Sequence, residues 1–270
     1  MLNKTKIFKI MKTTIYFAVI VLISLSAIFT SCQKDEDVLL EKNLSLTAPD
    51  NEGPDSLTVE AVGDLKSSNY ILNASSANNI PSKFFKVASK YKYSYQHLKQ
   101  PTSNSCSWTN YVMCTGAIAN VNGNYYPVNN NQVYLVRNRC NYSASIGALK
   151  NYARDYDYNK TDYELKYTDK SSSGRFQMIK YMLAHINDHH TPFIALAMDQ
   201  SSGVGHYLTV WSINWKQGGT GSTIYYTNSL CYPSSSFDGN LKSVSFTTFL
   251  NWMQSNPSAN KYNCLFLWED

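Results

Sequence analysis

The sequence predicts an α+β domain, because helical patterns come first along the chain, extended runs come later, and no internal repeat links them. A helix is expected from about Cys106 to Ala119, with Asn104 or Ser105 placed to cap it and Trp108, Tyr111, Val112, Cys114, Ile118 and Ala119 supplying apolar contacts. Further helices are expected near 130–139, 145–152 and 173–187, the last with Phe176, Ile179, Leu183 and Ile186 on one face. Residues 193–198, 206–215, 223–229 and 263–268 read as strands, with a short helix near 245–253 ahead of the last. Residues 67–99 are ambiguous. Tyr70-Ile71-Leu72 and the alternation from Tyr91 to Tyr95 suggest short strands, and the segment suits either a propeptide or the first wrap of the domain.

What precedes the domain is of a different kind. Lys4, Lys6, Lys9 and Lys12 lead into an apolar run from Thr13 to Thr30 that ends in Phe29-Thr30-Ser31-Cys32. This pattern reads as a secretory signal peptide over 1–31. The cysteine directly after it resembles the lipobox of bacterial lipoproteins, which implies that Cys32 is acylated and becomes the new N-terminus. Several acyl chains anchor stably because each buried methylene contributes about 0.8 kcal/mol. A transmembrane anchor is the competing reading of an apolar run this long.

Residues 32–66 then read as a lipid-anchored flexible tether, rich in Asp, Glu, Asn, Ser and Pro. From Gln33 to Lys66 there are nine acidic and three basic residues. The opening Gln33-Lys34-Asp35-Glu36-Asp37 resembles an acidic signal that sends some lipoproteins to the outer face of the outer membrane, and Asp55-Ser56-Leu57 resembles a bacterial O-glycosylation acceptor. The formal charge of +5 is misleading, since without the four signal-peptide lysines 20 basic residues face 19 acidic ones. Nothing in that balance calls for nucleic acid.

After Cys32 the chain carries Cys106, Cys114, Cys140, Cys231 and Cys264, an odd set in a compartment that permits disulfides. If Cys114, Cys140, Cys231 and Cys264 pair, in any of three ways, Cys106 is left over. It stands where a helix should start, and first-turn amides with the helix macrodipole favour a thiolate there. His206 follows Gly203-Val204-Gly205 and opens a strand. Asn228 returns on the far arm of a hairpin, as far from Gln217 as His206 is, so its side-chain oxygen is expected to reach the imidazole.

Nucleophile, base, orienting group and oxyanion donor are the parts of a thiol-based acyl transfer. On these residues the domain, 100–270, resembles the papain-like clan, most closely its bacterial C39-like and related papain-fold peptidases. The matching segments are Gln100-Pro101-Thr102-Ser103-Asn104-Ser105-Cys106-Ser107-Trp108, Gly205-His206-Tyr207-Leu208-Thr209-Val210 and Asn228-Ser229. The resemblance implies Cys106 as nucleophile, His206 as general base, Asn228 as its orienter and Gln100 as oxyanion donor beside the Cys106 amide. It also implies a helical lobe facing a sheet lobe, a peptide or protein substrate, a monomer, and no metal or organic cofactor.

Two positions depart from the family pattern. Trp108 stands two residues after the cysteine instead of adjacent, which suggests a shifted helix start, and Leu230 occupies the place of the tryptophan that shields the family's asparagine. Asp199 and Asp238 are alternative orienters. The same chemistry serves a peptidoglycan amidase or a transglutaminase-like acyl transferase, and a cleft without activity would bind a peptide or partner. His185 and His189, at i and i+4, lack the glutamate of a zincin and read as a solvated helix end. Trp211 and Trp215 read as core. Metabolic labelling of the full chain with an alkyne palmitate analogue is expected to tag it, and Cys32→Ser is expected to abolish the tag.

Overall fold

The computed structural model describes residues 68–156, 161–198, 205–256 and 259–269. Cys32, the signal peptide, the tether with its Asp55-Ser56-Leu57 motif, and Asp199 lie outside them. Among the described residues no helix is long and apolar enough to cross a membrane.

Along the chain the first elements are helix α1 (Asn69–Leu72), strand β1 (Lys83–Lys86) and helix α2 (Ser89–Ser94). Next come three helices, α3 (Cys106–Ala119), α4 (Asn130–Arg139) and α5 (Ile146–Tyr156). Strand β2 (Thr161–Asp169) precedes helix α6 (Ser172–His189). Strands β3 (Phe193–Met198), β4 (Gly205–Trp215) and β5 (Thr223–Thr227) follow. The chain ends in α7 (Phe237–Asn240), β6 (Leu241–Ser245), α8 (Phe246–Ser255) and β7 (Lys261–Glu269). The fold is α+β, with every strand pairing antiparallel in one sheet of order β2-β7-β3-β4-β5-β6 and β1 added to β4.

The apolar strands are buried on both faces, which is why they read as near-continuous hydrophobic runs. Along β3, Ile194 and Leu196 face one side with α3, α4 and α5, while Phe193, Ala195 and Ala197 face the other with α6 and α8. On β7, Leu265 and Leu267 join the first side, Cys264 and Phe266 the second. Side chains on a strand alternate with period 2, so each strand serves both layers. The expected separation into a helical lobe and a sheet lobe is therefore only partial. Helices cover both faces, and β1 and β2 join the sheet from positions ahead of α6.

Two segments expected to be extended are helical. Tyr70-Ile71-Leu72 lies in α1 with Ile71 buried, and Lys90 to Ser94 lies in α2. Tyr91 and Tyr95, four residues apart, are buried while Tyr93 between them is 89% exposed. That is the one-sided pattern of a helical turn leading into the loop. Residues 68–99 contribute to both cores, with Val87, Tyr91 and Tyr95 in one and Ile71, Ile80 and Phe85 in the other.

Strand β4 is long enough to take two partners along one edge. Gly205 to Val210 pairs β3, and Ser212 to Trp215 pairs β1. Its other edge pairs β5 with a register shift between Val210 and Ser212. The β4–β5 turn contains Gly218, Gly219 and Gly221, all at positive φ, a region that residues with a Cβ rarely occupy. Trp211 and Trp215 are core, their indole N–H groups donating to Thr227 Oγ1 at 3.1 Å and to the Ile80 carbonyl at 3.1 Å.

Phe249 of α8 is fully buried in the layer behind the sheet. Phe249→Ala is expected to cost about 3–5 kcal/mol, the range for a buried aromatic truncated to alanine, read from the urea midpoint at unchanged slope.

Candidate functional site

The chain ahead of α3 closes on itself before the helix begins. The Thr102 carbonyl accepts from Ser105 Oγ at 2.7 Å and from Gln100 Nε2 at 2.9 Å, and the Thr102 N–H donates to Ser105 Oγ at 2.9 Å. Ser105 holds the N-cap position, but its hydroxyl serves this turn and caps no amide of α3. Cys106 is the first helical residue, so the helix start is not shifted. Trp108 lies within the first turn, buried, its indole donating to the Ser143 carbonyl at 3.2 Å. The sulfur-bearing residue thus stands at the helix end whose amides and dipole attract negative charge.

His206 is the second residue of β4 and 6% exposed. Thr209 of β4 faces Thr227 of β5, so Asn228, one step past β5, falls diagonally across from His206 rather than directly opposite. The side chains span that offset, with His206 Nε2 2.8 Å from Asn228 Oδ1. The Leu230 N–H also points to Asn228 Oδ1, at 2.9 Å, which identifies that atom as the carbonyl oxygen. An oxygen accepting from both requires the imidazole to carry its proton on Nε2, leaving Nδ1 for other chemistry. Leu230 thus contributes a backbone donor that holds the same oxygen. Asp238, an alternative orienter in the sequence, is exposed on α7.

Gln100 is buried and held at both ends. Its backbone N–H donates to the Ser229 carbonyl at 2.7 Å, Ser229 Oγ donates to Gln100 Oε1 at 3.0 Å, and Gln100 Nε2 donates to Thr102. The dipeptide Asn228-Ser229 therefore touches His206 with one side chain and Gln100 with the next. Ser229 Oγ in turn lies 3.1 Å from the amide nitrogen of Asn110, a residue of α3 that also reaches the carbonyls of Cys106 and Tyr207, each at 2.8 Å. Asn110 does not stand out in the sequence as a site residue, and Ser229 is there only the companion of Asn228, with no role of its own. An Asn one turn after a helix-start cysteine, directly ahead of the apolar run Tyr111-Val112-Met113-Cys114, is the signal that would have marked the first.

The remaining thiols differ in setting. All five described cysteines are thiols, so Cys114, Cys140, Cys231 and Cys264 form no disulfides with one another. Burial pushes the Cys140 thiol up to about 11, and raises Cys114 and Cys264 as well. Cys114 Sγ lies 3.6 Å from the Pro192 carbonyl, and Cys140 Sγ 3.6 Å from that of Ala148. Tyr207, next to His206, also has a raised pKa, through burial first and the neighbouring Cys106 second.

The two histidines of α6 are not solvated as expected. His185 is buried, its ring against Phe266 at 4.7 Å and its Nε2 3.1 Å from Thr191 Oγ1, while His189 stacks on Trp268 at 4.5 Å. Among the described residues no three His, Cys, Asp or Glu side chains are grouped to hold a metal ion.

Along the chain, then, Cys106 opens α3, His206 is the second residue of β4, and Asn228 stands just past β5 in an α+β fold. No family model matches the chain, and no curated protein matches it. Among solved structures it is similar to UfSP from C. elegans, at 11% identity and a TM-score of 0.48, covering 70% of this chain and 35% of that one. The chain thus spans about a third of that protein's length, and the likeness assigns neither activity nor substrate.

Burial and the neighbouring His189 lower His185 from 6.5 to about 3. The unfolded chain therefore takes up a proton near 6.5 that the folded chain refuses until about 3, so stability falls as pH drops through that window. His97, whose pKa burial also lowers, acts in the same direction. The melting temperature is expected to decline from pH 7 to pH 4, and His185→Phe to make that decline shallower, read by circular dichroism.

Proposed function

We propose that the protein is a thiol peptidase of the cell envelope, anchored through Cys32, that cleaves peptide or protein substrates with Cys106, His206, Asn228 and Gln100. The observation that supports this most is the pairing of His206 Nε2 with Asn228 Oδ1 at 2.8 Å, which fixes the tautomer a thiol-activating imidazole needs.

In this reading His206 Nδ1 takes the proton of Cys106, and the sulfur attacks the scissile carbonyl. The oxygen of the tetrahedral intermediate is met by the Cys106 backbone N–H and the second N–H of Gln100 Nε2, the first being committed to Thr102. Collapse of the intermediate expels the amine, which leaves with the proton returned from His206. Water, deprotonated by the same ring, then attacks the thioester, and Cys106 is released as the acid is formed. Asn228 keeps the ring from rotating and supports its charge when both nitrogens are protonated. The chemistry needs no metal or organic cofactor.

Hydrolysis of quenched fluorescent casein by the full chain tests the assignment. Cys106→Ala is expected to reduce it to background, and Gln100→Ala to lower kcat about 10²-fold with KM little changed. Cleavage that survives Cys106→Ala would overturn the reading, as would a thiol-directed label that settles on Cys231 in preference to Cys106.

A further inference from the structure

Asn110 sits one turn beyond Cys106 on α3 and is completely buried. The residues that follow it on the helix, Tyr111, Val112, Met113 and Cys114, are apolar and equally buried, while Ser107 and Thr109 before it are buried and polar. An amide there is costly unless its donors and acceptor are all used. They are. The nitrogen lies 2.8 Å from the Cys106 carbonyl, 2.8 Å from the Tyr207 carbonyl and 3.1 Å from Ser229 Oγ, and the oxygen accepts from Thr209 Oγ1 at 2.9 Å.

The orientation of this amide follows from its partners. Carbonyl oxygens only accept, so the nitrogen must face Cys106 and Tyr207, which leaves the oxygen for the Thr209 hydroxyl. One side chain therefore holds the nucleophile's own carbonyl and the carbonyl of the residue after His206 to a single atom. Through Ser229 Oγ, which donates to Gln100 Oε1, it also reaches the oxyanion donor. These partners lie on three segments far apart in sequence: the start of α3, the start of β4, and the loop after β5.

We propose that Asn110 is a positioning residue that sets the spacing between the Cys106 helix and the His206 strand, with Thr209 holding its amide in place. The inference rests on the thiol peptidase reading and deepens it. Nucleophile and base exchange a proton only within hydrogen-bond reach, and a misplacement near 1 Å costs about 100-fold in rate. A tie made to the backbone of both elements fixes that separation without touching either reacting group.

The test uses the full chain and iodoacetamide, with the modified cysteine located by mass spectrometry and the rate measured from pH 5 to pH 9. Wild-type Cys106 is expected to alkylate with a limb below the ordinary thiol range near 8.5. Asn110→Ala is expected to slow alkylation at pH 6 at least tenfold and to move that limb toward the ordinary range. Thr209→Val keeps the shape of the side chain and is expected to give a smaller shift in the same direction. Asn187→Ala, at the far end of α6, is expected to lower the melting temperature without moving the profile.

Folded Asn110→Ala and Thr209→Val proteins with the wild-type profile would overturn the inference while leaving the peptidase reading intact. If Asn110→Ala does not fold, Thr209→Val decides: a wild-type profile counts against the proposal and a shifted one for it. A wild-type Cys106 that alkylates as an ordinary thiol overturns the peptidase reading and this inference with it.

Discussion

The antiparallel pairing of β4 is the constraint on which the rest of the structure depends. One edge of this strand is shared between β3 and β1, and the other is bonded to β5. Its register fixes the neighbours on both sides, and its two faces supply Tyr207 and Trp211 to one core and Leu208, Val210, Ile213 and Trp215 to the other. A slip of one residue would exchange these sets and expose half of each core, so the register is strongly specified. The same register sets Asn228 one step past Thr227, within reach of His206. The His206–Asn228 pair at the strand's start is thus held by apolar packing along its length.

Where the two layers approach that end, the core changes character. Most of the interior is aliphatic and aromatic, but the contact between α3 and β4 carries Asn110, Thr209, Ser229 and Gln100, all buried and bonded to one another. Apolar residues of similar size could fill this volume without the desolvation cost of an amide. What they would lack is direction. A hydrogen bond fixes a distance and an angle, whereas apolar contacts leave packed elements small freedoms to slide, and a site assembled from three separate segments tolerates little sliding.

The sequence made the strongly periodic elements legible and left the weakly patterned ones obscure. The expected helix over 106–119 and strand over 193–198 agree with α3 and β3, because length and a continuous apolar face leave few alternatives. Strand β2 was not foreseen. Its run Thr-Asp-Tyr-Glu-Leu-Lys-Tyr-Thr-Asp does alternate, but it sits at the sheet edge with charged residues between the apolar ones and carries no long hydrophobic run. The Lys-Tyr alternation of α2 misleads in the opposite direction, since Tyr91 and Tyr95 satisfy period 2 and an i, i+4 spacing equally well. The candidate site residues Cys106, His206, Asn228 and Gln100 can be named from the sequence because the motifs that suggest them are local. Asn110 cannot, since its partners Tyr207, Thr209 and Ser229 lie about a hundred residues away and only the folded chain joins them.

The cysteines show how position in the fold separates equal side chains. Cys114 lies two turns into the same helix as Cys106, yet it is surrounded by core and faces the Pro192 carbonyl, an acceptor that cannot stabilise a thiolate. Its ionisation would leave a charge without a counter-ion in an apolar layer, and its raised pKa follows. Cys140 and Cys264 are held neutral for the same reason. A thiol gains nucleophilicity only where burial is offset by donors or a cation, and along α3 that condition is confined to the first turn. Burial thus keeps Cys114, Cys140 and Cys264 neutral, which lets the chain carry these thiols in its core.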